Sequence, residues 1–185
     1  MFFIKKGKKF NMIYMVEMNL VDLSRRNEWD EWYLKHTKML LTFRGFHATQ
    51  RFESLYKVDA PFVAMHHVDG LDFFNSAPYK NHAGPLGTGE WRTKMNNWNR
   101  NLFKGLNATP EVKMSEFLIL IEEKTKMDYQ FENEVVWLKS CGLDMTVEYR
   151  GLAVVSSLDN LKEAERDPTV RVLKPLMKRL TKEEL

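Results

Sequence analysis

Cysteine is almost absent: Cys141 is the only one among 185 residues. A lone thiol cannot close an internal disulfide, so a packed core must hold the fold, and a cytoplasmic location is expected. As a nucleophile Cys141 is a weak candidate, since a buried inert thiol is the commoner fate of such a residue. Long apolar runs are also missing. No stretch approaches the ~18 residues of a membrane span, so no membrane partner is expected. A secretory leader runs from basic to apolar. Here Met1-Phe2-Phe3-Ile4 precedes Lys5, Lys6, Lys8 and Lys9, and residues 1–10 read as a short disordered basic extension. Charge of one sign is scarce too. With 28 Lys and Arg against 25 Asp and Glu, the net charge is +3, which is not the footprint of a nucleic-acid binder.

Several chemical patterns are likewise missing. There is no Gly-x-Ser-x-Gly elbow for an acyl-enzyme. The glycines of residues 81–92 are not followed by the Gly-Lys-Ser/Thr of a phosphate loop. That stretch reads as a linker or a flap. No two histidines stand four apart on a helix and no cysteines cluster, so no metal site is expected. Adjacent His66 and His67 on a strand point to opposite faces and cannot easily share one ion.

What the chain does have is apolar and aromatic mass. Hydrophobic residues make up 44% and aromatics 12%, with five Trp and twelve Phe. Alternation predicts a first strand over Met12–Leu20, with Ile13, Met15, Glu17 and Asn19 on one face and Tyr14, Val16 and Met18 on the other. Asp22 or Ser24 caps a helix whose Trp29, Trp32, Tyr33, His36 and Leu40 form one stripe, and Gly45 ends it. Strands follow over His47–Tyr56 and Phe62–Val68, with a short helix over 71–76. Residues 91–106 read as amphipathic or irregular. From Met114 the order restarts: a strand at Phe117–Ile121, a helix over Tyr129–Ser140, strands at Asp144–Tyr149 and Leu152–Leu158, and helical pieces over Asn160–Leu180. Each half reads β-α-β-β-α, with residues 11–110 as the first and 111–185 as the second. This predicts an α+β protein of two ferredoxin-like repeats with antiparallel sheets. Each half would leave one sheet face open, to be buried within the chain or in a homodimer.

The run Trp32-Tyr33-Leu34-Lys35-His36, with Leu40-Leu41, Gly45-Phe46, Arg51-Phe52 and Ser76-Ala77-Pro78-Tyr79, resembles the EthD-like branch of the dimeric α/β-barrel superfamily over residues 12–105. The resemblance implies the barrel fold but carries the reaction poorly, because the superfamily hosts many chemistries. Lys35 stands where that branch often has Glu, and Lys38 where a Pro is common. The acid–base partner of His36 must then come from elsewhere, and Glu17 is the first candidate. His36 and Glu17 are thus the expected catalytic pair. Arg51 would hold an anionic group, with Trp32, Tyr33, His66, Tyr79 and Trp98 as the remaining substrate contacts. The expected activity is that of a cofactor-independent lyase or isomerase, with monooxygenase next, acting on a small aromatic or cyclic acid such as a hydroxylamino-aromatic acid. The rival is a small-ligand-binding or assembly module of the same fold. It is favoured by Asn133, which takes the place of His36 in the second half.

Overall fold

The structure, a computed structural model, describes residues 11–123, 129, 131–159, 161 and 167–185. Its elements in order are β1 (Met12–Leu20), α1 (Arg26–Thr42), β2 (Phe46–Ser54), β3 (Phe62–Val68), the short helices α2 (Ala77–His82) and α3 (Gly84–Gly87), and β4 (Met95–Lys104). Then come β5 (Phe117–Glu123), β6 (Val136–Leu143), β7 (Tyr149–Val155), β8 (Val170–Pro175) and β9 (Leu180–Thr181). Among these residues no helix is long and apolar enough to cross a membrane.

β1, α1 and β3 fall where the hydrophobic pattern puts them. Asp22 caps the turn before α1, its carboxylate accepting from the Ser24 N–H at 3.0 Å. The chain leaves α1 through Gly45, whose φ of 91° is in the left-handed region that favours glycine.

Elsewhere the pattern misleads. Residues 91–106 hold a short turn and then the strand β4, and residues 81–92 are mostly short helical turns rather than open loop. The helix expected over Tyr129–Ser140 is not there: from Val136 the chain is β6. The helical spacing of Phe131, Val135 and Leu138 loses to the β-forming run Val135-Val136-Trp137 and to pairing with β4 and β7. The two strands expected over 144–158 are one, β7. It is preceded by a turn with positive φ at Leu143 and Met145. Residues 170–175, read as helix, form β8. Most of residues 160–166 lie outside the described part of the chain.

All strand pairs are antiparallel. The sheet runs β3-β1-β4-β6-β7-β5-β8-β2, β2 returns to pair with β3, and β9 adds to β2 outside the ring. Eight strands therefore close a barrel within one chain. The first half contributes the order β4-β1-β3-β2. The second contributes β8-β5-β7-β6, and the seams are β4–β6 and β2–β8.

Alternation along each strand separates two apolar clusters. One fills the lumen: Ile13, Met15, Phe52, Met65, Phe103, Leu120, Leu138 and Leu152 meet there from all round the ring. The other lies outside, under α1, and takes the opposite parity: Tyr14, Val16 and Met18 with Trp29, Tyr33 and Leu41. At one end the lumen face turns ionic. Glu17, 2% exposed, is bonded by both Arg150 and Arg171, and Arg150 also bonds Glu122 at 2.7 Å. Burial alone would raise the Glu17 carboxyl; the two guanidiniums outweigh it and hold it below the usual range.

Removing the anion leaves two buried guanidiniums to share Glu122 alone, so Glu17→Gln is expected to cost roughly 3–5 kcal/mol in urea unfolding at pH 7. Because the folded-state value is depressed, the contribution of Glu17 is present above the unfolded pKa of about 4.3 and is lost as pH falls through the folded value. The gap between wild type and Glu17→Gln should accordingly shrink in acid. A gap that stays constant to pH 3 would show that the network does not hold Glu17 charged.

Candidate functional site

The stripe of α1 explains how the site is placed. Trp29, Tyr33, Thr37 and Leu40 are buried against the outer face of β1 and β3, while Trp32 and His36 sit half-buried on the flank of that stripe. Between α1 and the sheet, under the cover of α2 and α3, lies a narrow chamber. Tyr14 and Val16 of β1, His66 of β3, Trp98 of β4, Tyr33, His36 and Leu40 of α1, and Tyr79, Gly84 and Thr88 of the cover line it. Its volume is about 20 Å³, room for roughly one water. At Thr88 and Trp98 it meets an outer cleft of about 200 Å³, also lined by Arg92 and Met95. A ligand of aromatic size needs the α2–α3 cover to give way. Gly84 belongs to that cover. Its φ is +61°, and a Cβ there would meet the Tyr79 ring at 3.2 Å, so only glycine suits the spot.

The structure brings five of the expected site residues together: His36, Tyr33, His66, Tyr79 and Trp98 all line the chamber. Trp32 stands behind them. Its ring stacks on His36 at 5.0 Å with an interplanar angle of 20° and so fixes the imidazole plane. Strand register decides between the two adjacent histidines. Tyr14 pairs with His66 and Ile13 with His67, so His66 faces the chamber and His67 takes the lumen side.

Two expected residues are not in the chamber. Glu17 pairs in register with Val63 and lies on the lumen side, bonded to arginines. A one-residue parity difference from Val16 and Met18 puts it across the sheet from His36, so it is not the partner of that imidazole. Arg51 is on the helix side but is already engaged. It is 4% exposed, donates to Asp30 at 2.8 Å, and lies 4.0 Å from the Tyr33 ring centroid and 4.7 Å from that of Trp29. Neither Glu53 nor Glu17 is its counter-ion; Glu53 pairs with Arg26 and Lys174. The guanidinium that was expected to hold a substrate anion instead pins α1 to the sheet.

Sequence reasoning passed over Tyr14, Thr88 and Arg100. The signal for Tyr14 was present in its parity, since it alternates with Glu17 and is therefore on the face that α1 covers. Tyr14 stacks on His66 at 5.4 Å, and its hydroxyl lies 3.3 Å from that of Tyr79.

The chamber wall is polar but uncharged at neutral pH. Burial drives His36 down to about 4, and burial together with the nearby His36 drives His66 down to about 3. Burial pushes Tyr33 up to about 12 and also raises Tyr14 and Tyr79. Near pH 7 the site thus offers two neutral imidazoles as proton acceptors and three phenols as donors. The Nδ1 of His66 is buried with no partner in the protein. Among the described residues, no group of three His, Cys, Asp or Glu side chains is placed to hold a metal ion.

Imidazole titration by NMR tests these electrostatics: His36 should change protonation near pH 4 and His66 near pH 3, against about 6.5 for a free imidazole. The sign for stability follows. The unfolded chain takes up these protons below about pH 6.5 while the folded chain refuses them. Stability should fall from there toward pH 4, and His66→Gln should flatten the slope. Midpoints near 6.5 would mean that the chamber is wet and open.

No protein-family model matches the chain, and no curated protein matches it at significant similarity. Solved structures do match in shape. An anthrone oxidase-like protein aligns at TM-score 0.62 and 8% identity, over 97% of this chain and 96% of its own. A candidate chlorite dismutase aligns at 0.56 and 9%, over 91% and 96%. A candidate monooxygenase from Lactobacillus acidophilus aligns at 0.56 and 7%, over 93% and 97%. At such identities the likeness establishes the fold alone: an α+β protein with a closed eight-stranded antiparallel barrel.

Proposed function

We propose that the protein is an enzyme acting on a small aromatic or cyclic compound in the chamber under α1, by proton transfer to and from the imidazoles of His36 and His66. The observation that carries this reading is the convergence of two uncharged histidines and three phenols in one aromatic-walled cavity. Proton acceptors and donors side by side, shielded from water, are what acid–base catalysis needs. A buried imidazole is a weak base. The proton it takes must come from a carbon or heteroatom that the site itself makes more acidic.

A lyase or isomerase fits such a step, since proton removal at one atom and return at another requires only these side chains. With Arg51 committed to Asp30, the wall no longer favours a carboxylic acid through that residue. The EthD-like pattern from Trp32 to Tyr79 supports placement in that branch. The matching strand orders of the two halves support reading them as two ferredoxin-like copies. A second reading, oxygenation of the same class of compound, is favoured by the oxidase-like and monooxygenase descriptions of two structural neighbours.

The test is hydrogen exchange in D2O, read by NMR on a panel of cyclic and aryl ketones and phenols. At least one compound should lose C–H signal faster with protein than in buffer, and His36→Gln should slow that exchange on the order of a hundred-fold. Compounds that bind without any accelerated exchange, and without consuming oxygen, would point to the rival ligand-binding module instead.

A further inference from the structure

We infer that Tyr14 and Tyr79, backed by Arg100, form an oxygen-binding corner of the chamber that holds a substrate carbonyl or phenol oxygen as it gains negative charge. This rests on the acid–base reading above and adds to it the class of compound and three residues with a stated role.

The two phenols contribute two O–H donors, and their one mutual contact at 3.3 Å uses only one of them. Arg100, whose charge acts on Tyr79, has no lone pair with which to accept from either phenol. It therefore takes neither phenolic proton. One O–H remains over, on a pair of tyrosines that are 3% and 5% exposed and border the cavity. A buried donor without an acceptor costs free energy; a ligand oxygen in the chamber would satisfy it. The unpartnered Nδ1 of His66 lies on the ring stacked against Tyr14, so a second unfilled polar position adjoins the first.

Arg100 supplies the sign of the charge. The buried arginines carry carboxylate partners: Arg51 has Asp30, and Arg150 and Arg171 share Glu17 and Glu122, whereas Arg100 is only half-buried. Among the described residues Arg100 has no carboxylate on its guanidinium. Asp144 accepts only from its backbone N–H, at 2.7 Å. Register pairs Arg100 with Val16, which places its side chain on the chamber side of the sheet. Its charge acts on both Tyr14 and Tyr79, pulling each phenol toward acidity against the burial that raises them. A cation behind a phenol pair, in a cavity with no anion, favours an oxyanion more than a neutral oxygen.

The step this permits balances without a co-reactant. A C–H bond beside the substrate carbonyl breaks and its proton passes to a neutral imidazole. The C–H pair becomes a C=C bond, and the carbonyl π pair settles on the oxygen held by the phenols. Return of the proton to the same carbon, or to the far end of a conjugated enolate, re-forms the carbonyl and leaves the imidazole neutral. The substrate class is therefore an enolisable cyclic ketone or its phenolic tautomer.

The probes are 4-nitrophenolate and 4-nitroanisole, which share a ring and differ in whether the oxygen is charged. Wild type should bind the phenolate the more tightly, and Arg100→Gln and Tyr79→Phe should each weaken phenolate binding about ten-fold or more while leaving the anisole unchanged. Arg100→Lys, which keeps the charge, should restore part of the preference, an outcome that a merely structural role would not give. The inference is overturned if wild type shows no preference, or if the variants keep it. If neither probe binds while accelerated C–H exchange is still seen, the oxygen-binding corner fails alone. If both assays are blank, the chamber reading fails with it.

Discussion

Closure of the barrel is the constraint on which everything else depends. The seams β4–β6 and β2–β8 join the two halves, and once they form, every strand of the ring is paired on both edges. Side chains at one parity then have to fill a lumen of fixed width, and those at the other have to meet helices. Lumen positions took large apolar residues, packing Met15, Met65 and Phe103 into the space. This leaves little room for a ligand at the barrel's centre. The chamber of the proposed reading lies on the outer face, where α1 and the α2–α3 cover leave a gap above the sheet.

Charge is sorted along the same line. At one end of the barrel Glu17, Glu122, Arg150 and Arg171 neutralise one another, so that Glu17 and Arg150 are tolerated almost fully buried. Under α1 the reverse holds: the polar groups are phenols and imidazoles that burial keeps neutral, and Arg51 is matched by Asp30 at the chamber's edge. Arg100, on that side, has no carboxylate partner among the described residues. The contrast separates a structural electrostatic system from one available to a ligand. It also explains why a carboxylate on β1 serves the barrel and not the histidine.

Much of the first half was legible in the sequence because its signals are local and agree. The alternation of Met12–Leu20, the stripe of α1 and the Gly45 stop each have one natural reading, and Trp32 to Tyr79 carries a family resemblance. The second half was legible only in part. Residues 136–143 and 170–175 are strands because β4, β5 and β7 need partners there, and pairing partners are not visible in local periodicity. The site shows the same division. His36, Tyr33 and Tyr79 were readable from their elements, but the choice of His66 over His67 needed the β1–β3 register. Glu17 and Arg51 were misplaced because face and counter-ion are tertiary facts: one residue of parity moves a side chain across the sheet, and Asp30 lies on another element altogether.

The central claim is that ligands enter beneath α1 and not the barrel. A crystal soaked with 4-iodophenol tests it most directly, since the anomalous signal of iodine marks the ring without assumption. The expected peak lies between Tyr14, His36, His66 and Trp98, with the phenol oxygen toward Tyr79 and the α2–α3 cover displaced. A peak instead in the barrel mouth, among Glu17, Glu122, Arg150 and Arg171, would contradict the account.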